Sequence, residues 1–400
     1  MGLTEARGVL EAAEKMLPEE DKQERAMVLA HLAWTPPYCM DKRRVNELLT
    51  RAETLARESK SQLALATMLR VKLFFAGDPT DHLAAQVIVD ELERLPNSEN
   101  DFWALPSIDI QIFRIITCIQ RGDQEALLQA IDDFDALARR HKNAELQWHR
   151  RRMGIILRMN AGESAGIESA LLELRERAEG LPLQTSRTIC DLDLGVLLAR
   201  TVDVRPFAAG ARNALRVEET DSQSIWAMKI LKMTEFGLLR EAEAALRRLP
   251  VALVYELPTD RNYLITLARL AVSSIATGAM EYVEALYHLL KPYPQYYAAG
   301  ISLHCEGSVS YFLGTLAQSL GRNREAIAHL EEALVLNERF GLKAHALRTR
   351  YELARALTGK STQIARKRAR SVLEQTLEGA QMLGLQRVLD DAERLLAELP

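Results

Sequence analysis

Three clusters of residues could do chemistry. Between positions 282 and 306 lie Tyr282, Tyr287, Tyr293, Tyr296 and Tyr297, followed by His304, Cys305 and Glu306; five of the ten tyrosines fall within sixteen residues. In an irregular linker rich in Tyr and Pro, such rings can line a groove and anchor a peptide or a flat ligand. The same rings can instead pack helices around a long loop, with their hydroxyls satisfied locally. His304 and Cys305 are the residue types of a nucleophilic pair. Neighbours on a helix point about 100° apart, however, so adjacency makes no hydrogen-bonded dyad.

The second cluster is Trp148-His149-Arg150-Arg151-Arg152, with Arg158 beyond. At helical spacing Arg151 and Arg158 share a face, and Trp148 lies one turn before Arg151 and Arg152. A basic, aromatic stripe on a concave face suits an acidic peptide, a carboxylate or a phosphate; otherwise it is a solvated face whose Arg stems cover apolar surface. The third is a basic run of Arg348, Arg350, Arg355, Lys360, Arg366, Lys367, Arg368 and Arg370. Arg348 and Arg355 share one helical face, facing an acidic partner or balanced by Glu352, Glu374 and Glu378. No apparatus for reading bases accompanies them. The eight histidines and four cysteines form no metal-ligand spacing. Cofactor and metal are therefore both expected to be absent. Consecutive carboxylates such as Asp132-Asp133 do not face each other, so no acid/base pair is legible.

The elements that must position these residues are helices. The segments between Pro and Gly are long and rich in Ala, Leu, Glu and Arg, all good helix formers, and alternating β-branched runs are nearly absent. Residues 309–336, VSYFLGTLAQSLGRNREAIAHLEEALVL, show the unit. One helix carries Leu313-Gly314 and Ala317, a turn follows at Leu320-Gly321-Arg322, and a second helix carries Ala326, Leu330 and Ala333. Small residues at 314 and 326 allow two antiparallel helices to approach closely. Related turns fall at Gly77, Gly122, Gly162, Gly237, Gly278, Gly321 and Gly359, with steps of 45, 40, 75, 41, 43 and 38 residues. The long step accommodates a degenerate turn near Thr201-Val202-Asp203.

This recurrence is the tetratricopeptide pattern, somewhat longer than its usual period of roughly 34 residues. It predicts an all-α fold: a tetratricopeptide-like, right-handed superhelical solenoid of about eight to nine helical hairpins, each burying its apolar face on its neighbours. The expected organisation is an N-terminal capping hairpin in 1–35, irregular helical repeats in 36–250, and tetratricopeptide-like repeats with a C-terminal capping helix in 251–400. Pro36-Pro37, Pro250, Pro258 and the Pro292/Pro294 pair mark joints.

The stretch 257–357 resembles the C-terminal, MalT-like repeat region of large bacterial signalling proteins: LuxR-type ATPase regulators, and adenylate/guanylate cyclases with a central ATPase module. The resemblance rests on Pro258, Asp260, Tyr282, Leu286, Leu290, Pro292 and Tyr293, then on Gly314, Leu320-Gly321, His329, Glu332-Ala333-Leu334, Asn337, Gly341, Thr349 and Arg355. Looser similarity extends over 111–240. The resemblance implies a region that senses or binds a partner while other domains do chemistry. Neither a GxxxxGK[ST] phosphate loop nor a separate helix-turn-helix is present in these 400 residues, and Met1 slightly favours a complete chain.

Composition agrees with a binding module. Hydrophobic residues make up 48% and charged residues 26%, which excludes disorder across the chain. A formal net charge of -4 argues against a nucleic-acid binder. No apolar run spans a bilayer, and the acidic N-terminus is no secretory signal. The expected setting is cytoplasmic, with reduced thiols. The leading functional reading is a non-catalytic scaffold that holds a protein or peptide, acidic if the basic stripes carry the contact, in regulation or signalling. The expected contact residues are Trp148, Arg151, Arg158, Tyr287, Tyr293, Tyr296, Tyr297, His304, Arg348 and Arg355. The second reading is a small-molecule sensor with an effector pocket near 282–306, and the third is a helical-repeat enzyme acting on a bound peptide. Exposed end faces of such arrays favour a homodimer.

Overall fold

The computed structural model describes residues 3–35, 38–95, 101–141, 144–179, 181, 185–218, 221–359 and 362–399. Its helices, in chain order, are α1 (Leu3–Met16), α2 (Lys22–Ala33), α3 (Lys42–Ser59), α4 (Gln62–Phe75), α5 (His82–Glu93), α6 (Asp101–Arg121), α7 (Gln124–His141), α8 (Ala144–Asn160), α9 (Ile167–Glu176), α10 (Thr185–Thr201), α11 (Ala208–Ala211), α12 (Gln223–Glu235), α13 (Leu239–Arg247), α14 (Val251–Val254), α15 (Tyr263–Thr277), α16 (Met280–Leu290), α17 (Val309–Ser319), α18 (Asn323–Arg339), α19 (Lys343–Thr358), α20 (Gln363–Leu383) and α21 (Gln386–Ala397). Two short 3-10 helices (Tyr38–Met40 and Arg205–Phe207) and two short strands, β1 (Tyr297–Ala299) and β2 (Cys305–Ser308), complete the described structure.

The chain is an all-α, tetratricopeptide-like solenoid. Its hairpins are α2/α3, α4/α5, α6/α7, α8/α9, α12/α13, α15/α16, α17/α18 and α19/α20, and α10 turns into the short α11 to make a truncated ninth. Each turn expected from the sequence at Gly77, Gly122, Gly162, Thr201-Val202-Asp203, Gly237, Gly278, Gly321 and Gly359 falls between the two helices of one unit. Side chains cap several starts: Asp41 accepts from the Arg44 N–H at 3.0 Å, and Ser61 and Thr362 do the same for Ala64 and Ala365. The joints at Pro250, Pro258, Pro292 and Pro294 lie outside the helices, while Pro36 and Pro37 lie outside the described residues.

The stack is not a simple ribbon. Helix α15 is apolar nearly all round and buried nearly all round. It packs on α12, α13, α16, α17 and both strands, so it sits at the centre. The segment 258–262 returns to the α4–α5 turn, where Gly77 N–H donates to the Thr259 carbonyl at 3.0 Å and Arg261 N–H to the Phe74 carbonyl at 3.1 Å. At the other end α21 reaches α10. Successive hairpins thus curl until distant repeats touch.

The twelve residues 297–308 depart from the purely helical expectation. They form a small antiparallel hairpin with a register shift between Tyr297 and Ala299. Two strands do not change the fold class, but they occupy its interior. β1 packs on α6 and α15, and β2 on α15, α17 and α18. One apolar cluster joins Ile115, Phe134, Ile156 and Leu197 of the middle repeats to Tyr297, Leu303 and Cys305 of this hairpin.

Gly314 carries the close helix approach read from the sequence. A Cβ placed there would stand 2.6 Å from Leu330 Cγ and 3.2 Å from the Ala326 carbonyl oxygen, with Ala326, Leu330 and Ala333 fully buried beneath. Gly154, exposed in mid-α8, has nothing within 4 Å of such a Cβ. Alanine gains up to about 1 kcal/mol over glycine in a helix, whereas overpacking costs about 1–3 kcal/mol. Gly154→Ala is therefore expected to stabilise by about 0.5–1 kcal/mol, and Gly314→Ala to destabilise despite its better propensity. Denaturant midpoints of the two variants against the parent check the opposite signs.

Candidate functional site

In six units the first helix turns the same inner face toward the interior: α6, α8, α10, α15, α17 and α19. What meets that face in the middle of the molecule is the backbone of 299–308. Gln120 Nε2 donates to the Ala299 carbonyl at 3.0 Å. Asn262 Oδ1 accepts from the Ile301 N–H at 3.0 Å. Arg152 donates to the Ser302 carbonyl at 3.0 Å. Asn160 makes a two-pronged contact, donating from Nδ2 to the Leu303 carbonyl at 2.8 Å and accepting at Oδ1 from the Cys305 N–H at 3.1 Å. Asn337 Oδ1 accepts from the Ser308 N–H at 2.9 Å. A buried backbone needs such partners, and here side chains from three helices, α6, α8 and α18, and from the loop before α15 supply them.

Two backbone details show how close this fit is. Leu303 adopts a positive φ of 64°, a region a branched side chain seldom occupies. A Cβ at Gly300 would lie 2.4 Å from Asn262 Oδ1 and 2.9 Å from Ile265, so only glycine lets the turn reach Asn262.

Charge anchors the same contact. Arg152 and Asp193, both buried, form a bidentate pair with both bonds at 2.8 Å, and His304 Nε2 donates to Asp193 Oδ1 at 2.8 Å. Burial pushes the Asp193 carboxyl up, but the His304 and Arg152 hydrogen bonds and the Arg152 charge hold it below its ordinary range. Burial outweighs the attraction of Asp193 for His304 and depresses the imidazole, so His304 is a neutral donor. Its Nδ1 has no partner among the described residues. Burial pushes the Cys305 thiol up to about 12, which keeps it from forming a thiolate at neutral pH. With strand rather than helix at Cys305, the His304 and Cys305 side chains alternate across the ribbon and do not form a pair.

Beyond the hairpin the inner face continues as a cavity of about 240 Å³. It is lined by Arg200, Arg269, Arg348 and Arg387, by Glu235, Glu306, Glu352 and Asp391, and by apolar groups that include Val272, Tyr311 and Phe312. It opens among α10, α12, α15, α17, α19 and α21. Burial raises the Glu306 carboxyl, but the charges of Arg269 and Arg200 more than offset this and hold it ionised far below the ordinary range.

The residues expected to make contacts have varied placements. Trp148 is core: its indole N–H donates to the Leu174 carbonyl at 3.0 Å, and it packs with Ala178 and Cys190. Arg151 and Arg158 are exposed, and Arg158 pairs with Glu163 at 2.7 Å. The inward arginine of that cluster is Arg152, one residue and 100° away. It stands in the same basic run but is not among the expected contacts, because Arg150 and Arg151 directly before it hide the phase of the helix. Tyr287, Tyr293 and Tyr297 are buried with their hydroxyls bonded to Glu325 (2.7 Å), Asp78 (3.3 Å) and the Leu336 carbonyl (2.6 Å); Tyr296 is half-buried. These rings pack the hairpin against the repeats and do not line an open groove. Arg355 pairs with Glu352 at 2.6 Å and donates to Gln318. Only His304 and Arg348 stand at the inner site, His304 in the hairpin and Arg348 in the cavity wall. The sequence also gave no weight to Asn160, Asp193, Arg200 and Arg269, and Asn337 entered only through the resemblance; a polar residue interrupting an apolar helical face was the available signal.

No protein-family model matches the chain, and neither does any curated protein. Among solved structures it is similar to the Signal Transduction ATPase with Numerous Domains (STAND) protein PH0952 of Pyrococcus horikoshii, which has a tetratricopeptide repeat sensor. Identity is 13% and the TM-score 0.40, over 99% of this chain; the chain spans 62% of that protein's length. It is also similar to yeast Tom70, at 12% identity and a TM-score of 0.36, over 100% of this chain and 88% of the other. Among the described residues no helix is long and apolar enough to cross a membrane, and no group of His, Cys, Asp and Glu could hold a metal ion.

Removing Asp193 leaves the Arg152 guanidinium buried without its counter-charge. Asp193→Ala is expected to cost about 3–5 kcal/mol, measured by denaturant unfolding. The buried His345, packed beside Gly307, is depressed to about 3, first by burial and then by Arg200 and Arg348. Its unfolded counterpart titrates near ~6.5. A base depressed in the folded state binds its proton only on unfolding, so this ring subtracts stability as pH falls below ~6.5. The ring resonances of His345 should therefore not shift between pH 8 and 5 in NMR spectra of the folded protein.

Proposed function

We propose that this protein is a helical-repeat scaffold whose inner face grips an extended protein segment by its main chain. In the described state that face is filled by the chain's own 297–308. The observation that carries the reading is the set of side chains Gln120, Arg152, Asn160, Asn262 and Asn337, all bonded to backbone groups of that segment. Contacts of this kind recognise an extended chain whatever its side chains, and specificity then comes from neighbouring pockets. A partner segment would take the place of the hairpin, so binding and release of 297–308 would be coupled. The resemblance of 257–357 to the repeat regions of LuxR-type ATPase regulators and cyclase-ATPase proteins supports a regulatory or signalling setting for such an exchange.

A second reading, a small-molecule sensor, draws on a separate observation. The cavity beside Glu306 is walled by α10 of the middle repeats and by the C-terminal α21, so an effector there would bias how far the solenoid closes.

The first reading is tested with a labelled peptide of sequence YAAGISLHCEGS, identical to 297–308. Tyr297→Ala removes the ring that lies against Gly122 and Phe340, loosening the cis segment while leaving the inner-face side chains intact. This variant is expected to bind the peptide in trans, the parent chain to bind it at least tenfold more weakly, and Tyr297→Ala/Asn160→Ala to lose it. If the helices stay folded by circular dichroism and no variant binds the peptide, the hairpin is fixed core and the reading fails.

A further inference from the structure

The sensor reading leaves the ligand's chemistry open, and the charges around the cavity decide it. Four arginines and four carboxylates line the wall, a neutral tally, but their pairing is uneven. Glu235 is bound by Lys232 at 2.7 Å, Glu352 by Arg355 at 2.6 Å, and Asp391 by Arg394 at 3.5 Å. Those three cations are not among the lining residues. The fourth carboxylate, Glu306, meets Arg269 at a loose 3.4 Å.

The arginines are left over. Arg348 and Arg387 form no ion pair or hydrogen bond among the described residues. Arg200 spends its N–H groups on two carbonyls, of Met159 at 3.1 Å and Cys305 at 3.5 Å, and has no ion pair. Arg269, only 6% exposed, keeps its Nε without a partner. Arg200 and Arg269 are buried, Arg348 is half-buried and Arg387 is exposed; burying a guanidinium without a full counter-charge costs several kcal/mol by the general estimate, and guanidinium groups match carboxylate and phosphate oxygens with their paired N–H donors. Burial also lifts the Glu352 carboxyl toward its neutral form, which thins the negative side further.

Interleaved with these charges the lining is apolar and aromatic, with Val272, Phe312 and the rings of Tyr311 and Tyr351. Its volume of about 240 Å³ lies just under the usual range for drug-sized ligands, roughly 300–1,000 Å³. That size suits a metabolite better than a stretch of chain. Resting on the sensor reading, we propose that the cavity binds a small organic anion. Its carboxylate or phosphate group sits among Arg200, Arg269, Arg348 and Arg387, and an apolar body lies against Val272 and Phe312. Because Arg200 belongs to α10 in the middle of the array and Arg387 to the C-terminal α21, such an anion ties the last helix to a middle repeat. The same Arg200 holds the Cys305 carbonyl, so occupancy reaches the hairpin through one side chain.

The full chain is titrated, at constant ionic strength, with phenyl phosphate, benzoate, inorganic phosphate and benzamidine, following thermal midpoint and calorimetric affinity. Phenyl phosphate and benzoate are expected to bind saturably and raise the midpoint, inorganic phosphate to bind at least tenfold more weakly for want of an apolar body, and benzamidine not to bind. Arg348→Gln and Arg387→Gln each remove an arginine with no partner in the fold, so both variants should stay folded. Each should weaken phenyl phosphate at least tenfold, while Arg158→Gln on the outer surface leaves it unchanged. Equal affinity in parent and both variants would overturn the proposal. Stabilisation by benzamidine alone would overturn the anion assignment and leave the sensor reading standing; no response to any probe would remove both. A longer acidic peptide that binds while the small anions do not would replace the metabolite with a protein ligand and equally overturn the proposal.

Discussion

The docking of one extended segment onto the inner face is the contact on which the rest of this structure depends. A repeat array ordinarily relies on nearest neighbours, each hairpin covering the next. Here residues 297–308 add contacts of far greater sequence separation, from Gln120 on α6 to Asn337 on α18. Its backbone carries polar groups into the interior that water cannot reach, and Asn160, Asn262, Asn337 and Arg152 are the groups that satisfy them. Those side chains are equally buried, so each partner needs the other. This mutual requirement ties the middle repeats to the C-terminal ones.

The charges follow from the same arrangement. Arg152 can lie inside because Asp193 meets it with two hydrogen bonds, and His304 occupies the remaining side of that carboxylate. Two residues further along, Glu306 stands where the hairpin ends and the cavity begins, with Arg269 and Arg200 around it. Held in one segment, the polar contacts that dock the hairpin and the charged wall of the cavity communicate through Arg200, which touches the Cys305 carbonyl and lines the cavity at once. The face that docks the hairpin and the neighbouring cavity are thus two stretches of a single inner surface.

Much of the architecture was legible beforehand because hairpin turns are local. A glycine at a helix end, a small residue facing a large one across a turn, and a step near forty residues are properties of short windows; Gly314 with Leu330 shows the rule at a single contact. The tyrosines of 282–297 had the right types for recognition but are spent on packing, since rings of that size bury more area between repeats than at a rim. Trp148 went the same way. Arg151 and Arg152 differ by one position and by opposite environments, a distinction that depends on helical phase relative to neighbours not yet placed.

By itself, then, the sequence determined an all-helical array of about nine hairpins, the position of each turn, and the lack of metal-ligand or phosphate-loop spacings. Those follow from apolar periodicity and backbone preference, which act over a few residues. Tertiary structure alone decided that the array curls until α21 meets α10, that 297–308 forms strands in its interior, and which arginines lose their counter-charges. Many of these contacts join residues far apart in the chain, and their free energies depend on burial, which no local window contains.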